Sequence, residues 1–198
     1  ACLAAPYHYT FRAQFMGKAS HAGVAPEEGI SAIQVMAAAI SHMELLRIDS
    51  ETTCNIGTIK AEYATNIVPD RCSMIAEVRS RDLDKLNAQA AHIQSCLQEA
   101  CGQFGAKLDC KLVTNYVSYR VDPEGDTVKP LLAAFERLGC KANVTQGGGG
   151  SDANIYNQKG LEAVVLGTGM TKVHTTAEYI TIKNLNDTAR LALDLLTH

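Results

Sequence analysis

The stretch Tyr7-His-Tyr-Thr-Phe-Arg-Ala-Gln-Phe-Met16 decides how the rest of the chain is read. Tyr9, Phe11, Ala13 and Phe15 fall on one side of a strand, and His8, Thr10, Arg12 and Gln14 fall on the other, the alternation of a half-buried sheet strand. Outward from it, residues 17–29 read as a loop. Ile30, Ile33, Met36, Ala37 and Ile40 then recur at helical spacing, which predicts a helix to about Leu46. Pro26-Glu-Glu precedes it, a rigid residue and two acids suited to a helix N-terminus. Residues 53–63 and 72–79 are two more strands, joined by Ala64-Thr-Asn-Ile-Val-Pro-Asp, whose Pro69 belongs at an edge or in a connection. Residues 83–101 form a second helix and residues 107–118 a fourth strand. The order β-α-β-β-α-β predicts an α+β, ferredoxin-like domain, two helices covering one face of a four-stranded antiparallel sheet.

Beyond residue 120 the character changes. An acidic Val121-Asp-Pro-Glu-Gly-Asp link precedes a helix over residues 127–138. Short strands are expected at 142–145 and 163–166, a helical turn opened by a Ser-Asp cap at 151–157, and a closing helix at 185–196. Two short strands are too few for a self-contained α/β layer, so this part reads as a partial α/β segment of a larger sheet whose other strands lie outside the chain.

Composition narrows the function classes. The chain has 198 residues, 46% hydrophobic and 20% charged, with a formal net charge of −3. That is an ordinary globular balance, large enough to bury a core without covalent staples. Seven cysteines without a Cys-x-x-Cys pair argue against a disulfide framework or a thiolate zinc site, and read as small core residues in a reducing, cytoplasmic compartment. No apolar run reaches the ~20 residues of a membrane span. The charge balance, with no Trp, gives neither the basic field nor the stacking platform of a nucleic-acid binder.

Each chemical feature has a bland reading beside a working one. Gly147-Gly-Gly-Gly-Ser-Asp152 is a flexible turn, or a backbone that lets a ligand approach with Ser151 and the next helix's N–H groups as donors. It is not a nucleotide fingerprint, since the Gly-x-Gly-x-x-Gly spacing and a following Lys are missing. His21 lies in a loop, either exposed bystander or working imidazole. His174 follows the Gly-Thr-Gly after a buried strand, where ligands collect in α/β sheets. One histidine alone is weak evidence for metal, because zinc needs three or four ligands and no His-x-Asp or His-Glu-x-x-His pattern occurs. His8, His42, His92 and His198 read as surface residues.

Taken together, the segments fall in the order of a known family. Lys18-Ala-Ser-His-Ala-Gly with Pro26-Glu-Glu-Gly-Ile-Ser-Ala-Ile, Ala64-Thr-Asn-Ile-Val-Pro-Asp, Glu77-Val-Arg-Ser-Arg-Asp, Gly148-Gly-Gly-Ser-Asp-Ala-Asn and His174-Thr-Thr-Ala-Glu-Tyr-Ile closely resemble the peptidase T family. That family belongs with the aminoacylases, carboxypeptidase G2 and succinyl-diaminopimelate desuccinylase among hydrolases with two zinc ions and an inserted ferredoxin-like lid. The resemblance implies a zinc-dependent aminopeptidase that removes residues from the N-terminus of short peptides such as tripeptides, and a homodimer formed through the lid. By resemblance, residues 1–7 end the first half of a catalytic domain, residues 8–119 are the lid and dimerisation domain, and residues 120–198 are the C-terminal part of the catalytic domain.

The same resemblance assigns roles. His21 matches the lid histidine that helps stabilise the oxyanion formed at the scissile carbonyl. Asn66 and Arg79 match positions that grip the substrate's polar or carboxylate end. Gly149 and Ser151 match the loop that meets the substrate from the catalytic domain. His174 matches a zinc ligand, and Glu178 a neighbour that orients it. The family's His-x-Asp pair, bridging Asp and general-base Glu have no match in the sequence, so the 198-residue chain is expected to be inactive alone. Two other classes stay open: a stand-alone ferredoxin-like dimerisation or binding module, and a sibling zinc amidohydrolase of the aminoacylase or dipeptidase kind.

Overall fold

The computed structural model describes all 198 residues. In chain order the elements begin with strands β1 (Ala4–Ala5), β2 (Tyr7–Met16) and β3 (Ser20–His21), a 3-10 turn at Pro26–Glu28, and helix α1 (Ala32–Ser41). Then come β4 (Leu46–Arg47), β5 (Thr53–Lys60), β6 (Ile67–Val68), β7 (Arg71–Ser80), α2 (Leu83–Phe104), β8 (Lys107–Tyr116) and β9 (Tyr119–Arg120). Helices α3 (Val128–Arg137), α4 (Asp152–Gln158) and α5 (Ile182–Thr197) close the chain. Contacts divide it into two compact units, Pro6–Val117 and Ala1–Ala5 with Ser118–His198.

The first of these units is built on an antiparallel sheet in the order β4-β5-β7-β2-β8. Without β4 this is the predicted ferredoxin-like arrangement. Strand parity places Phe11, Phe15, Met74 and Val78 on the face covered by α1 and α2, where they meet Val35, Leu86, Ile93 and Leu97, all fully buried. Cys54, Cys72, Cys96 and Cys101 lie in the same core as free thiols, as small apolar fillers would. Burial pushes the Cys54 thiol up to about 11, which makes it an unreactive core group.

The helix ends show how local signals set boundaries. The Ser31 hydroxyl accepts the Gln34 N–H at the start of α1, and the Asp82 carboxylate accepts the Lys85 N–H at the start of α2. Gly105, at φ 70°, closes α2 in the left-handed conformation that glycine adopts without a Cβ penalty. Helix α1 ends at Ser41, short of the predicted Leu46, because Leu46 itself turns to φ 67° and pairs with Cys54 as the extra edge strand. Helix α2 runs on to Phe104 instead of ending at Cys101. The predicted loop 17–29 also contains structure: β3 pairs with β6, and Lys18 and Ile30 exchange backbone hydrogen bonds of 3.0 and 2.8 Å. A Cβ at Gly17 would stand 2.0 Å from the Ile30 carbonyl oxygen, so this close crossing requires glycine.

In the second unit, residues 1–5 act as the common strand. Cys2 donates to the Val165 carbonyl at 2.8 Å, Leu3 to Thr145 at 3.0 Å, and Val121 to Leu3 at 2.8 Å. The strands predicted at 142–145 and 163–166 are reduced to single bridges, Cys2–Thr145 and Cys2–Val165. Helices α3 and α5 bury Leu131, Ala134 and Leu191 between them, and Arg137 pairs with Asp194. Helix α5 starts at Ile182, earlier than the predicted 185, with the Thr181 hydroxyl accepting the Asn184 N–H at its cap. Ile182 and Leu196 on α5 are 79% and 85% exposed, so its apolar residues outnumber the partners available within this unit. No helix of the chain is long and apolar enough to cross a membrane.

Candidate functional site

His21 and Asn66 are brought together by the β3–β6 ribbon. His21 sits opposite Ile67 in the register, and the Ala22 N–H donates to the Asn66 carbonyl at 2.9 Å. Both side chains are exposed. The His21 Nδ1 accepts the Gly23 N–H at 3.1 Å, and Val24 and Ala25 both donate to the His21 carbonyl, so a tight turn grips this residue from two sides. With Nδ1 used as an acceptor, the neutral ring carries its proton on Nε2 and presents a hydrogen-bond donor outward.

Arg79 occupies a different place, on the face of the sheet opposite the helices. Its Nε donates to Glu77 Oε1 at 3.0 Å and its Nη2 to Oε2 at 2.9 Å, a fork on a carboxylate two residues away on the same face of β7. His8, opposite Arg79 on β2, reaches Glu77 with Nε2 at 3.1 Å. Burial works to raise the Glu77 pKa, but the hydrogen bonds and charge of Arg79 outweigh it and hold the carboxyl below its usual range. Burial, then the Arg79 charge, push the His8 imidazole below its ordinary value in spite of Glu77. The His8–Glu77 contact at neutral pH is therefore a hydrogen bond from a neutral ring, not an ion pair. The Asn115 amide completes the set, lying 3.2 Å from His8 Nδ1 and donating to Thr10 at 2.6 Å.

This corrects the reading of His8 as a surface residue: its side chain is only 12% exposed and belongs to the polar end of the sheet. Sequence reasoning also passed over Glu77, although the Glu77–Arg79 spacing places both on one face of a strand. His92 is likewise half-buried, accepting the Glu44 N–H at 3.1 Å.

In the second unit, Gly149 and Ser151 lie exposed at the start of α4. The Ser151 hydroxyl accepts the Ala153 N–H at 3.3 Å, and its own N–H donates to Asn154 Oδ1 at 3.0 Å, forming a capping box. Asn154 is fully buried and anchors the end of the glycine loop. Its signal in the sequence is the Ser-x-x-Asn spacing. At the loop's other end the Gly147 N–H donates to the Ala4 carbonyl at 2.8 Å.

His174 is exposed and takes φ 64°, unusual for a residue with a Cβ. Glu178 meets its backbone, accepting the His174 N–H at 2.7 Å, and so orients the turn and not the ring. Nowhere in the chain do three or more His, Cys, Asp or Glu side chains converge in a way that would hold a metal ion. The residues present do not make a zinc site by themselves, and a centre at His174 would need two or three ligands from outside this chain.

An antiparallel sheet under two helices, with an exposed histidine ribbon beside it, is the architecture of a peptidase dimerisation domain. Residues 7–105 match the family of that description, M20_dimer, and the chain belongs to it. Among solved structures, it is similar to aminopeptidase PepT from Bacillus cereus, with 38% identity and a TM-score of 0.83 over 98% of this chain and 52% of that one. A tripeptidase from Staphylococcus aureus gives 36% identity and a TM-score of 0.89 over the same shares, 98% and 52%. The uncharacterised protein YqjE of Bacillus subtilis is 36% identical over 194 residues, 98% of this chain and 52% of its own length. The chain thus spans about half the length of these relatives.

Proposed function

We propose that this chain is the lid and C-terminal catalytic portion of a zinc-dependent aminopeptidase acting on short peptides, and that the 198-residue chain is inactive alone. The observation that carries this is the similarity to PepT and to a tripeptidase at 38% and 36% identity over 98% of the chain.

Within that reading the chain's own residues bind and orient. His21 offers its Nε2–H to the carbonyl under attack, as an oxyanion donor already set in its tautomer by Gly23. Asn66, on the same ribbon, contacts the polar end of the peptide. Arg79 receives a substrate carboxylate on the guanidinium edge that Glu77 leaves open, and Gly149 and Ser151 approach the peptide backbone. With one of its lone pairs engaged by the Ala153 N–H, the Ser151 hydroxyl acts toward substrate as a donor. His174 is the one side chain this chain would offer to metal. A homodimer through the Pro6–Val117 unit and a cytoplasmic setting belong to the same proposal, supported by the dimerisation-domain match and by seven free thiols.

The test is to determine the intact mass of the natural gene product, then compare it with the 198-residue chain for zinc content, tripeptide hydrolysis and mass in solution. A longer dimeric product that holds zinc and cleaves tripeptides, beside an inactive chain, supports the proposal. Cleavage of N-acyl amino acids in place of tripeptides moves the assignment to a sibling amidohydrolase. A product that binds no zinc and hydrolyses neither class leaves a stand-alone dimerisation or binding module.

A further inference from the structure

The open face of the five-stranded sheet carries a charge that the chain as a whole does not. Strand parity sends the residues between the core positions away from the helices. There the register sets Arg12 opposite Lys111, Met16 between Arg71 and Lys107, and Lys60 beside Ser73. All five cations are exposed and none enters an ion pair. Arg47 and Arg79 share the face at its far end, where Glu77 holds Arg79. Asp109, paired with Gln14, is the other carboxylate on these strands. A formal net charge of −3 for the whole chain therefore hides a positive sheet face and a more acidic remainder.

We infer that this face binds short acidic peptides, their carboxylates lying across Arg12, Lys111, Lys107 and Arg71. The choice of a short peptide as occupant rests on the peptidase reading, while the charge does not. The spacing favours an extended chain over a compact anion. Arg12 and Lys111 are about 5 Å apart on neighbouring strands, Arg71 and Lys107 about 10 Å apart across Met16, and Lys107 and Lys111 about 13 Å apart along β8, so the set spreads over the face and does not converge on one point as a phosphate site would. Alternate side chains of an extended peptide, about 7 Å apart, match such a dispersed set. Exposed Ile75 and Val113 on the same face offer apolar surface between the charges. The Arg12–Lys111 region has no aromatic ring, so nucleic-acid bases would find no stacking platform there.

The experiment is an amide-resolved NMR titration of the 198-residue chain with triglutamate, trialanine and trilysine at low and high salt. Shifts clustered at Arg12, Ser73 and Lys111 are expected with triglutamate alone, with affinity falling about five-fold or more once the Debye length drops below ~10 Å. The double variant Arg12→Gln, Lys111→Gln should keep the folded spectrum and lose most of the response. Shifts elsewhere, none at all, or an equal response to trialanine would overturn the inference. A single-stranded oligonucleotide that displaces triglutamate at lower concentration would replace the acidic peptide with nucleic acid. Tripeptide hydrolysis by the longer product without binding at this face sinks only this inference. Binding here without hydrolysis sinks the peptidase reading and leaves the peptide-binding face standing.

Discussion

Glu77 carries more of the polar end of the sheet than any other single residue. It ties Arg79 through two hydrogen bonds and receives the His8 ring, so the guanidinium proposed to meet substrate is held in one orientation. The pH consequence follows from the direction of the shifts. The folded-state pKa of Glu77 is depressed, so its contribution to stability is present above the unfolded value, about 4.3, and is lost as pH falls through the folded value. His8 is also depressed, so the unfolded chain takes up its proton first as pH drops below about 6.5 and stability declines there too. Urea midpoints measured between pH 7 and pH 3 should therefore fall with acid, and Glu77→Gln should flatten the lower part of that fall. An unchanged profile in Glu77→Gln would remove this account. The same substitution should weaken substrate binding by the longer enzyme more than turnover, because it loosens Arg79 without removing it.

At the scale of elements, β2 is the strand on which the fold depends. Phe11 and Phe15 are fully buried between sheet and helices, while Arg12 between them is exposed. Phe11→Ala should cost about 3–5 kcal/mol by equilibrium denaturation, and Arg12→Ala within about 0.5 kcal/mol of zero. Similar losses at both positions would mean the strand is not seated as described. The long strands and α2 were legible because ten or more residues hold one period, while the stop at Gly105, which carries α2 past the predicted Cys101, was not read from the sequence. The two-residue pairs β3–β6 and β4 were not, since two residues have no period to read. They form because a neighbouring strand supplies the hydrogen-bonding partners.

For the whole molecule, the two units differ in how well each closes on itself. The Pro6–Val117 unit has a continuous core under two helices. The other has two small core clusters, one two-residue strand pair (β1–β9) with isolated bridges beyond it, and α5 residues such as Leu193 63% exposed. Limited proteolysis should therefore cut first after residue 120, in the exposed stretches around residues 122–126 and 139–150, and leave the Pro6–Val117 unit resistant. Uniform resistance along the chain would contradict this.

The sequence by itself determined the alternation of β2, the strand at residues 72–79, the helix from Leu83, the β-α-β-β-α-β order and, through its motifs, the family. These depend on neighbours a few residues apart, where periodicity, capping and glycine conformation act directly. Only the tertiary structure decided that His8 closes on Glu77 and Arg79, that Glu178 serves the backbone of His174 and not its ring, and that scattered lysines and arginines gather on one face of a chain with net negative charge. Those outcomes depend on cross-strand register and turn geometry, which bring together groups far apart in the chain or point them in directions that local spacing does not specify.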